Sequence, residues 1–349
     1  MWEITADTAA DYLRRMQRIP AEGAVAILPL AWGVSNCVLR VEPELAPPFV
    51  LKQSRSRLRT VDPWFSRLDR IFREAEVLRW LSARLPPGVV PQPLFEDREN
   101  FVLAMEAIRP DHVVWKQLLL EGQVDLELAR QLGDLLGTIH AESAAIRDEL
   151  AGWRDREVFE ELRIEPFYRR LITRHPEVAP ALERLIAETF DCAICLVHAD
   201  FSPKNILIHP DGFSLVDFET AHLGDPAFDL GFFLSHLLLK AVYHHPDSGP
   251  LLNVARAALE GWRQRVRGTE LTAPELSARG AAHTAACLLA RIDGASPVDY
   301  LVNDEPRKEF VRQHAISRLR VEPRESPERE TEELAGALTR VEFPPRSAG

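Results

Sequence analysis

Two short apolar runs flank a polar turn in the stretch Cys195-Leu-Val-His-Ala-Asp-Phe-Ser-Pro-Lys-Asn-Ile-Leu-Ile-His209. Apolar runs of this length around a polar, proline-containing turn predict two strands joined by a tight loop. His198, Asp200 and Asn205 fall inside the loop at the spacing H-x-D-x-x-x-x-N. A carboxylate can orient a hydroxyl and accept its proton, and an amide oxygen can ligate a metal ion. The loop is therefore the first candidate site.

The chain after this loop predicts a β-hairpin. Residues 206–209 and 213–216 are apolar, and Pro210-Asp-Gly212 between them is a strong turn signal. The return strand brings Asp217 back towards Asn205, so that a carboxylate and an amide offer hard oxygen ligands suited to Mg²⁺. The spacing in the loop is weak evidence by itself, because a turn rich in Asp, Pro and Asn is often only a turn. The hairpin strengthens the functional interpretation.

With HADFSPKNIL at residues 198–207 and VDFETAHLGDPAFDL at residues 216–230, the sequence resembles the aminoglycoside phosphotransferase and choline kinase superfamily. The resemblance implies an α+β, protein-kinase-like fold of two lobes, a small antiparallel-sheet N-terminal lobe and a larger, mostly helical C-terminal lobe. It also implies ATP and Mg²⁺ as cofactors and a small-molecule hydroxyl as acceptor. Position by position, it implies Asp200 as catalytic base, Asn205 and Asp217 as metal ligands, and His198 as a structural residue of the loop.

Length and composition limit the class of protein. At 349 residues the chain exceeds the usual single domain, which favours two lobes. A formal net charge of -11 argues against nucleic acid or an anionic membrane surface as a partner. The acidic start of the chain is unlike a secretory leader, and no apolar segment is long enough to span a bilayer. We therefore expect a cytoplasmic protein.

The sequence has one C-x-x-C motif, formed by Cys192 and Cys195. A redox or zinc site is one interpretation of such a pair. No second pair follows, however, and the motif leads into a predicted strand. We therefore expect both cysteines to be small buried residues.

The N-terminal part predicts an amphipathic helix at residues 5–18 and then a series of antiparallel strands at 24–30, 37–41 and 49–53. Gly33, Ser35 and Asn36 fall at the tip of the first hairpin, which in kinases covers the ATP phosphates. A single glycine there is a weak signal, since most such glycines only serve the turn. Lys52, near the end of the third strand, is a stronger one because lysine is rare in this arginine-rich chain. We predict that it holds the phosphates.

Residues 66–85 predict an amphipathic helix whose buried face includes or borders Glu74. A carboxylate in that position needs a cation, and Lys52 is the candidate, as in the Lys–Glu pair of kinases. Glu76 faces elsewhere and is the second choice. The arginine-rich segment 53–73 is either a solvated loop or a contact for a phosphate or anionic substrate. This region also resembles the N-terminal lobe of methylthioribose kinases.

Residues 101–105 predict a strand that ends towards Pro110. By resemblance this is the hinge, where backbone groups near Glu106 and Ala107 would hold adenine. We predict an N-terminal nucleotide-binding lobe at 1–106, a catalytic and substrate lobe at 107–320, and a charged tail at 321–349. Helical patterns dominate after the hinge, at residues 125–143, 159–190, 228–242, 251–266, 274–292 and 328–340.

The stretch after Asp217 distinguishes a small-molecule kinase from a protein kinase. Only seven residues lie between Asp217 and Asp225, too few for the activation loop of a protein kinase. Ser202 stands where protein kinases usually have a lysine. Both features favour a small hydroxyl substrate over a protein.

Three further residues of the predicted second lobe are candidate structural or acceptor-binding residues. Asp229 opens the apolar helix at 228–242 and can cap it or fix the catalytic loop. Arg291 and Asp293 lie near a helix end, where the resemblance implies the acceptor pocket, although an arginine there also suits the helix dipole.

The sequence thus predicts an ATP-dependent phosphotransferase acting on a small-molecule hydroxyl. A sugar or sugar-like acceptor is favoured by the N-terminal resemblance. An aminoglycoside or an amino-alcohol is the nearest rival. A catalytically silent kinase fold is the alternative of another class, and the retention of both Asp200 and Asp217 argues against it.

Overall fold

The structure is a computed structural model that describes residues 2–30, 35–59, 63–321 and 325–345. The chain forms two compact units, the first from Met1–Val113 and Ile206–Thr220, the second from Val114–Asn205 and Ala221–Gly349. This division differs from the one predicted from sequence. The hairpin after the catalytic loop belongs to the first unit, and residues beyond 321 belong to the second.

Ten strands lie in the described part of the chain. They are β1 (Val25–Pro29), β2 (Asn36–Pro43), β3 (Phe49–Ser54), β4 (Pro93–Asp97), β5 (Val102–Glu106), β6 (Val113–Val114), β7 (Cys195–Val197), β8 (Ile206–His209), β9 (Gly212–Leu215) and β10 (His222–Gly224). The first five form one antiparallel sheet in the order β1-β2-β3-β5-β4. The predicted strand series is confirmed. Lys52 lies on the central strand, paired with Val38 on one side and Leu103 on the other.

The described residues also contain twelve α-helices. They are α1 (Ala9–Arg15), α2 (Arg70–Ser82), α3 (Trp115–Leu120), α4 (Leu126–Ala145), α5 (Glu157–Phe159), α6 (Arg170–Arg174), α7 (Ala179–Asp191), α8 (Pro226–Tyr243), α9 (Gly249–Arg265), α10 (Pro274–Asp293), α11 (Glu305–Leu319) and α12 (Pro327–Leu338). In the first unit, α1 packs on the sheet through Tyr12 and Leu13. In the second, α8 packs on α10, and α4 packs on α9.

Residues 159–190 are largely helical, as predicted, but they do not form one regular α-helix. Between α5 and α6 the chain forms a π-helix over Glu160–Arg169, and a 3-10 turn at Pro176–Val178 separates α6 from α7. Pro166, inside the π-helix, has no backbone N–H to donate, which disfavours a regular α-helix there. The π-helix positions Arg163, which becomes important below.

The hairpin of β8 and β9 pairs Ile206 with Leu215 and turns at Gly212, whose φ of +135° suits glycine. The N–H of Leu215 donates to the carbonyl of Val89 at 2.7 Å. The predicted hairpin is therefore confirmed, and it is anchored to the first unit. Asp217 follows two residues later.

The apolar helix α8 is buried along nearly its whole length, as expected for a core helix. Within the described residues, no helix has both the length and the apolar character needed to cross a membrane. The four cysteines are free; Cys195 is fully buried and Cys192 partly so. Burial raises the pKa of both thiols, that of Cys192 to about 12. Neither is therefore a reactive thiolate.

Two glycines allow α4 and α9 to approach closely. A Cβ on Gly133 would lie 1.9 Å from the carbonyl oxygen of Ala258, and one on Gly261 would lie 2.0 Å from that of Arg130. Both contacts are with backbone of the facing helix, which cannot rotate away. The two helices can therefore keep this separation only with glycine at both positions.

We expect Gly261→Ala to lower the free energy of unfolding by about 2–3 kcal/mol, since the overpacking penalty exceeds the gain in helix propensity. Gly249→Ala on the same helix is the matched control, because nothing lies within 4 Å of its added Cβ. Urea unfolding of both variants measures the effect. Equal stabilities would show that the helices separate at little cost.

Candidate active site

The catalytic loop of the second unit begins after β7, which pairs with β10. Ala199 has a φ of +59°, a conformation that is costly for a residue other than glycine. Asp229 of α8 holds the loop in this shape: its Oδ2 accepts from the N–H of His198 at 2.8 Å and its Oδ1 from that of Ala199 at 2.7 Å. Asp229 therefore fixes the loop, but it does not open the helix as predicted: α8 begins at Pro226, and its N-cap is Asp225, whose carboxylate accepts from the N–H of Ala227 at 3.0 Å.

Asp229 is itself fixed from the helical core. His140 donates from Nε2 to Asp229 at 3.1 Å, and its Nδ1 accepts from the indole N–H of Trp262 at 3.0 Å. His140 and Asp229 have no exposed surface. A buried charge needs such partners, because an unsatisfied buried carboxylate is costly. Within the loop, the Nδ1 of His198 accepts from the N–H of Asp200 at 3.1 Å, which is the structural role predicted for this histidine.

Asp200 is 4% exposed and contacts two cations. Its Oδ1 lies 3.0 Å from Arg163, and its Oδ2 lies 2.8 Å from Lys204. Burial alone would raise the pKa of Asp200, but the charges of Arg163 and Lys204 outweigh it and lower the pKa to about 2. The carboxylate therefore stays ionised at any working pH.

Asn205 is turned towards Asp200. Its Nδ2 donates to the Asp200 carboxylate at 2.8 Å and to the Asp200 carbonyl at 3.0 Å. This orientation leaves Oδ1 as the free acceptor atom of the amide. Oδ1 is an uncharged hard oxygen, of the type that Mg²⁺ accepts.

The first unit holds the other predicted group of residues. The Lys52 ammonium lies 2.7 Å from Oε2 of Glu74 and 2.6 Å from Oδ1 of Asp217. The other carboxylate oxygen of Glu74 accepts from the N–H of Phe218 at 3.3 Å. Lys52 therefore bridges the helix α2 and the segment after the hairpin, as the sequence predicted for Lys52 and Glu74. Asp217 itself adopts a φ of +73°, so a strained backbone conformation occurs here as it does at Ala199.

Burial and the neighbouring charges shift the pKa values of Lys52 and Glu74. Burial alone would lower the pKa of Lys52, but Asp217, Glu74 and Glu219 outweigh it and raise the pKa above its ordinary value. Burial raises the pKa of Glu74, and Lys52 opposes that shift. Lys52 is therefore a permanent positive charge on the central strand of the sheet.

Glu219, the last residue of Asp-Phe-Glu, organises the start of β2. It accepts from Ser35 Oγ at 2.5 Å, from Asn36 Nδ2 at 2.7 Å and from Arg70 Nε at 2.9 Å. Burial would raise the pKa of Glu219, but Lys52 and Arg70 lower it. The side chains of Ser35 and Asn36, predicted at the phosphates, here bind Glu219 instead; their backbone groups remain candidates. Gly33 lies outside the described residues.

Of the predicted hinge residues, Glu106 is the last residue of β5 and Ala107 follows it. The N–H of Glu106 donates to the carbonyl of Gln92 at 2.9 Å. In the part of the chain that the structure describes, no hydrogen bond involves the backbone of Ala107. Its N–H and C=O are the backbone groups that adenine could use at this position.

The two predicted acceptor residues differ in their surroundings. Asp293 is buried between two side chains that bind its carboxylate: Nε of Arg312 lies 2.7 Å away, and Nε2 of His175 lies 2.9 Å away. It ties α10 to α11, and this contact explains it as a structural residue. Arg291 has no such carboxylate partner among the described residues, and its Nε is buried without a hydrogen bond.

Sequence reasoning missed three residues of these sites: Arg163, Lys204 and Arg70. Lys204 lies between Asp200 and Asn205, so its position was a usable signal. Arg70 is 1% exposed and donates to Glu219 and to the carbonyl of Ser35 at 2.7 Å. Nothing in the sequence distinguishes Arg70 or Arg163 from the many other arginines.

These oxygen-bearing and positively charged side chains are of the kinds that bind a nucleotide with its Mg²⁺. The carboxylate of Asp217 and Oδ1 of Asn205 are hard oxygen groups of the type that Mg²⁺ accepts, and Lys52 is a cation suited to phosphate oxygens. No cluster of three or more His, Cys, Asp or Glu residues able to hold a metal occurs in the described ranges. In phosphoryl transfer, Mg²⁺ is usually held by one or two carboxylates together with phosphate oxygens.

Comparison with known proteins decides the family. Residues 26–271 match the phosphotransferase enzyme family APH. The chain belongs to this family. Methylthioribose kinase from Bacillus velezensis is 24% identical over 277 residues, which cover 70% of this chain and 68% of that protein. Methylthioribose kinase 2 from rice is 24% identical over 222 residues, 56% of this chain and 52% of that protein. The chain thus spans about half the length of the rice relative.

Solved structures show the fold of this family member. Amicoumacin kinase hAmiN, solved with AMP-PNP, Ca²⁺ and its ligand Ami, superposes with a TM-score of 0.55 at 16% identity, over 89% of this chain and 96% of that one. A choline/ethanolamine kinase family protein from Mesorhizobium loti gives 0.50 at 16% identity, over 96% and 100%. The predicted α+β, kinase-like fold is confirmed.

Proposed function

We propose that this phosphotransferase moves the γ-phosphoryl group of ATP to a hydroxyl of a small molecule, most simply a sugar or sugar-like metabolite, in the cytoplasm. The observation that carries the proposal is the Lys52 ammonium held between Glu74 and Asp217. In kinases, a Lys–Glu ion pair of this kind positions the lysine that binds the nucleotide phosphates. The methylthioribose kinases among the relatives favour the sugar-like acceptor over an amino-alcohol.

Each unit supplies its own part of the chemistry. In the first, Lys52 contacts phosphate oxygens, Glu74 orients Lys52, and the backbone at Ala107 contacts adenine. Asp217 would be the Mg²⁺ ligand that the first unit supplies, and the amide oxygen of Asn205 the one that the second unit supplies; Mg²⁺ neutralises phosphate charge when bound. Lys52, Glu74 and Asn205 are buried and already oriented by their partners, so little ordering of these side chains is needed on binding.

In the second unit, Asp200 accepts a hydrogen bond from the acceptor hydroxyl and aims its oxygen at the γ-phosphorus. The new P–O bond forms as the bond to the ADP oxygen breaks, and the hydroxyl proton passes to Asp200 or to the transferred phosphoryl group. A carboxylate with a pKa of about 2 is a weak proton acceptor. Asp200 therefore acts chiefly by orienting the hydroxyl, which suits a loose transition state that needs little help from a base.

Release of ADP tests the proposal. Purified protein with Mg·ATP is incubated with a panel of sugars, thiosugars, amino-alcohols and aminoglycosides, and with no acceptor as the blank. We expect at least one sugar-like compound to raise ADP release well above the blank. Stimulation by aminoglycosides or amino-alcohols alone would replace the sugar assignment. Labelling of added proteins instead of small molecules would contradict the proposal.

A further inference from the structure

Five polar residues of the second unit form what we call the basic cluster: Lys116, His236, Lys240, Arg291 and Tyr300. His236 and Lys240 lie one turn apart on α8, Arg291 lies on α10, and Lys116 lies on α3. The ammonium groups of Lys240 and Lys116 lie 5.3 Å and 5.8 Å from the centre of the Tyr300 ring. The chain has only five lysines, Lys52, Lys116, Lys204, Lys240 and Lys308. Two of them are in this cluster.

The cluster is short of negative charge. Asp299 is a carboxylate beside it, and both of its oxygens bind Lys116, at 2.7 and 2.8 Å. Within the described ranges, neither Lys240 nor Arg291 forms an ion pair with a carboxylate. Lys240 is 1% exposed, and the one hydrogen bond of its ammonium goes to the carbonyl of His236 at 3.0 Å.

Three polar atoms of the basic cluster are buried without a hydrogen-bond partner: Nε2 of His236, Nε of Arg291 and the hydroxyl of Tyr300. His236 is 6% exposed. Native proteins satisfy most buried polar groups, and an unpaired buried cation is more costly still. Several unsatisfied polar atoms in one place therefore indicate a group that is bound during function.

The lowered pKa values of three residues in the basic cluster also indicate that an anion binds there. Burial lowers the pKa of Lys240 to about 7, with Lys116 and Arg291 adding to the shift and Asp299 opposing it. Burial also lowers the pKa of Arg291 and, with the nearby cations, that of His236. A bound anion would favour the charged forms of these groups and relieve the shifts.

The basic cluster is connected to the catalytic carboxylate within the same unit. The guanidinium of Arg291 lies 5.8 Å from the centre of the Phe167 ring, and that of Arg163 lies 5.9 Å from the same centre. Arg163 in turn lies 3.0 Å from Asp200. Arg291 and the direct partner of the proposed catalytic residue thus contact the same aromatic ring, and Arg291 is close enough to Asp200 and Arg163 for both charges to influence its pKa.

We infer that the basic cluster binds an anionic group of the acceptor, a carboxylate or a phosphate, and so positions its hydroxyl at Asp200. Lys240 and Arg291 are the specificity-determining residues, and Tyr300 donates its hydroxyl to the same group. This inference rests on the proposed function and narrows its acceptor to hydroxy acids or sugar phosphates. The excess of positive charge disfavours aminoglycosides and choline-like amines, which are cationic.

Matched acceptors test this inference. The KM values of D-ribose, D-ribonate and D-ribose 5-phosphate are measured for the wild type, Lys240→Met, Arg291→Met and the control Lys308→Met, whose lysine pairs with Glu305 at the surface. We expect a KM at least 10-fold lower for an anionic acceptor than for ribose. A lower KM for D-ribonate would indicate that the cluster binds a carboxylate, and a lower KM for D-ribose 5-phosphate would indicate a phosphate.

Each cluster variant should raise the KM of the anionic acceptor about 10- to 100-fold, the effect of losing a charge-assisted hydrogen bond, with ribose and ATP little affected. A purely structural role would instead lower the melting temperature. We expect Lys240→Met to melt no lower than the wild type, since it removes an uncompensated buried cation. Equal KM values for neutral and anionic acceptors, or cluster variants that match Lys308→Met, would overturn the inference.

A binding measurement separates failure of this inference from failure of the proposed function. D-Ribonate and D-ribose 5-phosphate are titrated calorimetrically into wild type and Lys240→Met without ATP. If no acceptor is phosphorylated but one anion binds the wild type at least 10-fold more tightly than the variant, the basic cluster is an anion site and the phosphotransferase proposal is wrong. If neither anion is phosphorylated or bound, the inference is overturned.

Discussion

An Asp200→Asn variant should retain only about one thousandth of the wild-type kcat, because the acceptor hydroxyl loses the carboxylate that orients it. The amide keeps the size of the side chain, but it no longer offers Arg163 and Lys204 two charged oxygens or the acceptor hydroxyl a carboxylate. The KM for ATP should change less than threefold, since Lys52, Glu74 and Asp217 are untouched. Initial rates of ADP release at saturating acceptor measure both constants.

Asp247→Asn is the control for this variant. Asp247 is exposed and belongs to the same unit, so its substitution repeats the chemical change away from the loop. Melting curves of both variants establish that they are folded. A folded Asp200→Asn protein with more than a tenth of the wild-type kcat would remove Asp200 from the mechanism.

An Asp217→Asn variant should lose at least as much activity, on the order of 10³-fold, for a different reason. The substitution removes the only charged ligand proposed for Mg²⁺ and one of the two carboxylates that hold Lys52. We expect the Mg²⁺ concentration needed for half-maximal rate to rise at least 10-fold. Rates measured across a Mg²⁺ titration at fixed ATP give this value.

Asp211→Asn provides the matched control, because Asp211 lies at the turn of the same hairpin and is paired at the surface with Arg109. An unchanged Mg²⁺ requirement in Asp217→Asn would contradict the metal assignment even if kcat fell. The remaining loss would then be attributed to the displaced Lys52.

Local patterns were sufficient to predict much of this protein. The hairpin after Asn205 follows from turn chemistry, and the pairing of Lys52 with Glu74 follows from a helix face that buries a carboxylate. Both predictions concern residues whose neighbours are set by one strand or one helix. The motif around Asp200 and Asp217 also carried the family resemblance, which the family match confirms.

Contacts between residues that are far apart in the chain could not be predicted from the sequence. Arg163 reaches Asp200 from a segment that looked like ordinary α-helix, and the π-helix that positions it depends on packing as well as on Pro166. Lys240 was visible only as an interruption in an apolar helix, because sequence does not show which residues of α3 and α10 face it. The division of the chain likewise depends on where the hairpin docks, and no local signal reports that.

The most direct measurement follows the γ-phosphoryl group itself. Wild type and Asp200→Asn are incubated with γ-labelled ATP, Mg²⁺ and D-ribose, D-ribonate or D-ribose 5-phosphate, and the label is traced among small molecules, protein and free phosphate. The account predicts label on a hydroxyl of the acceptor with the wild type and almost none with the variant. Label found only as free phosphate or on protein, or equal transfer by both proteins, would contradict it.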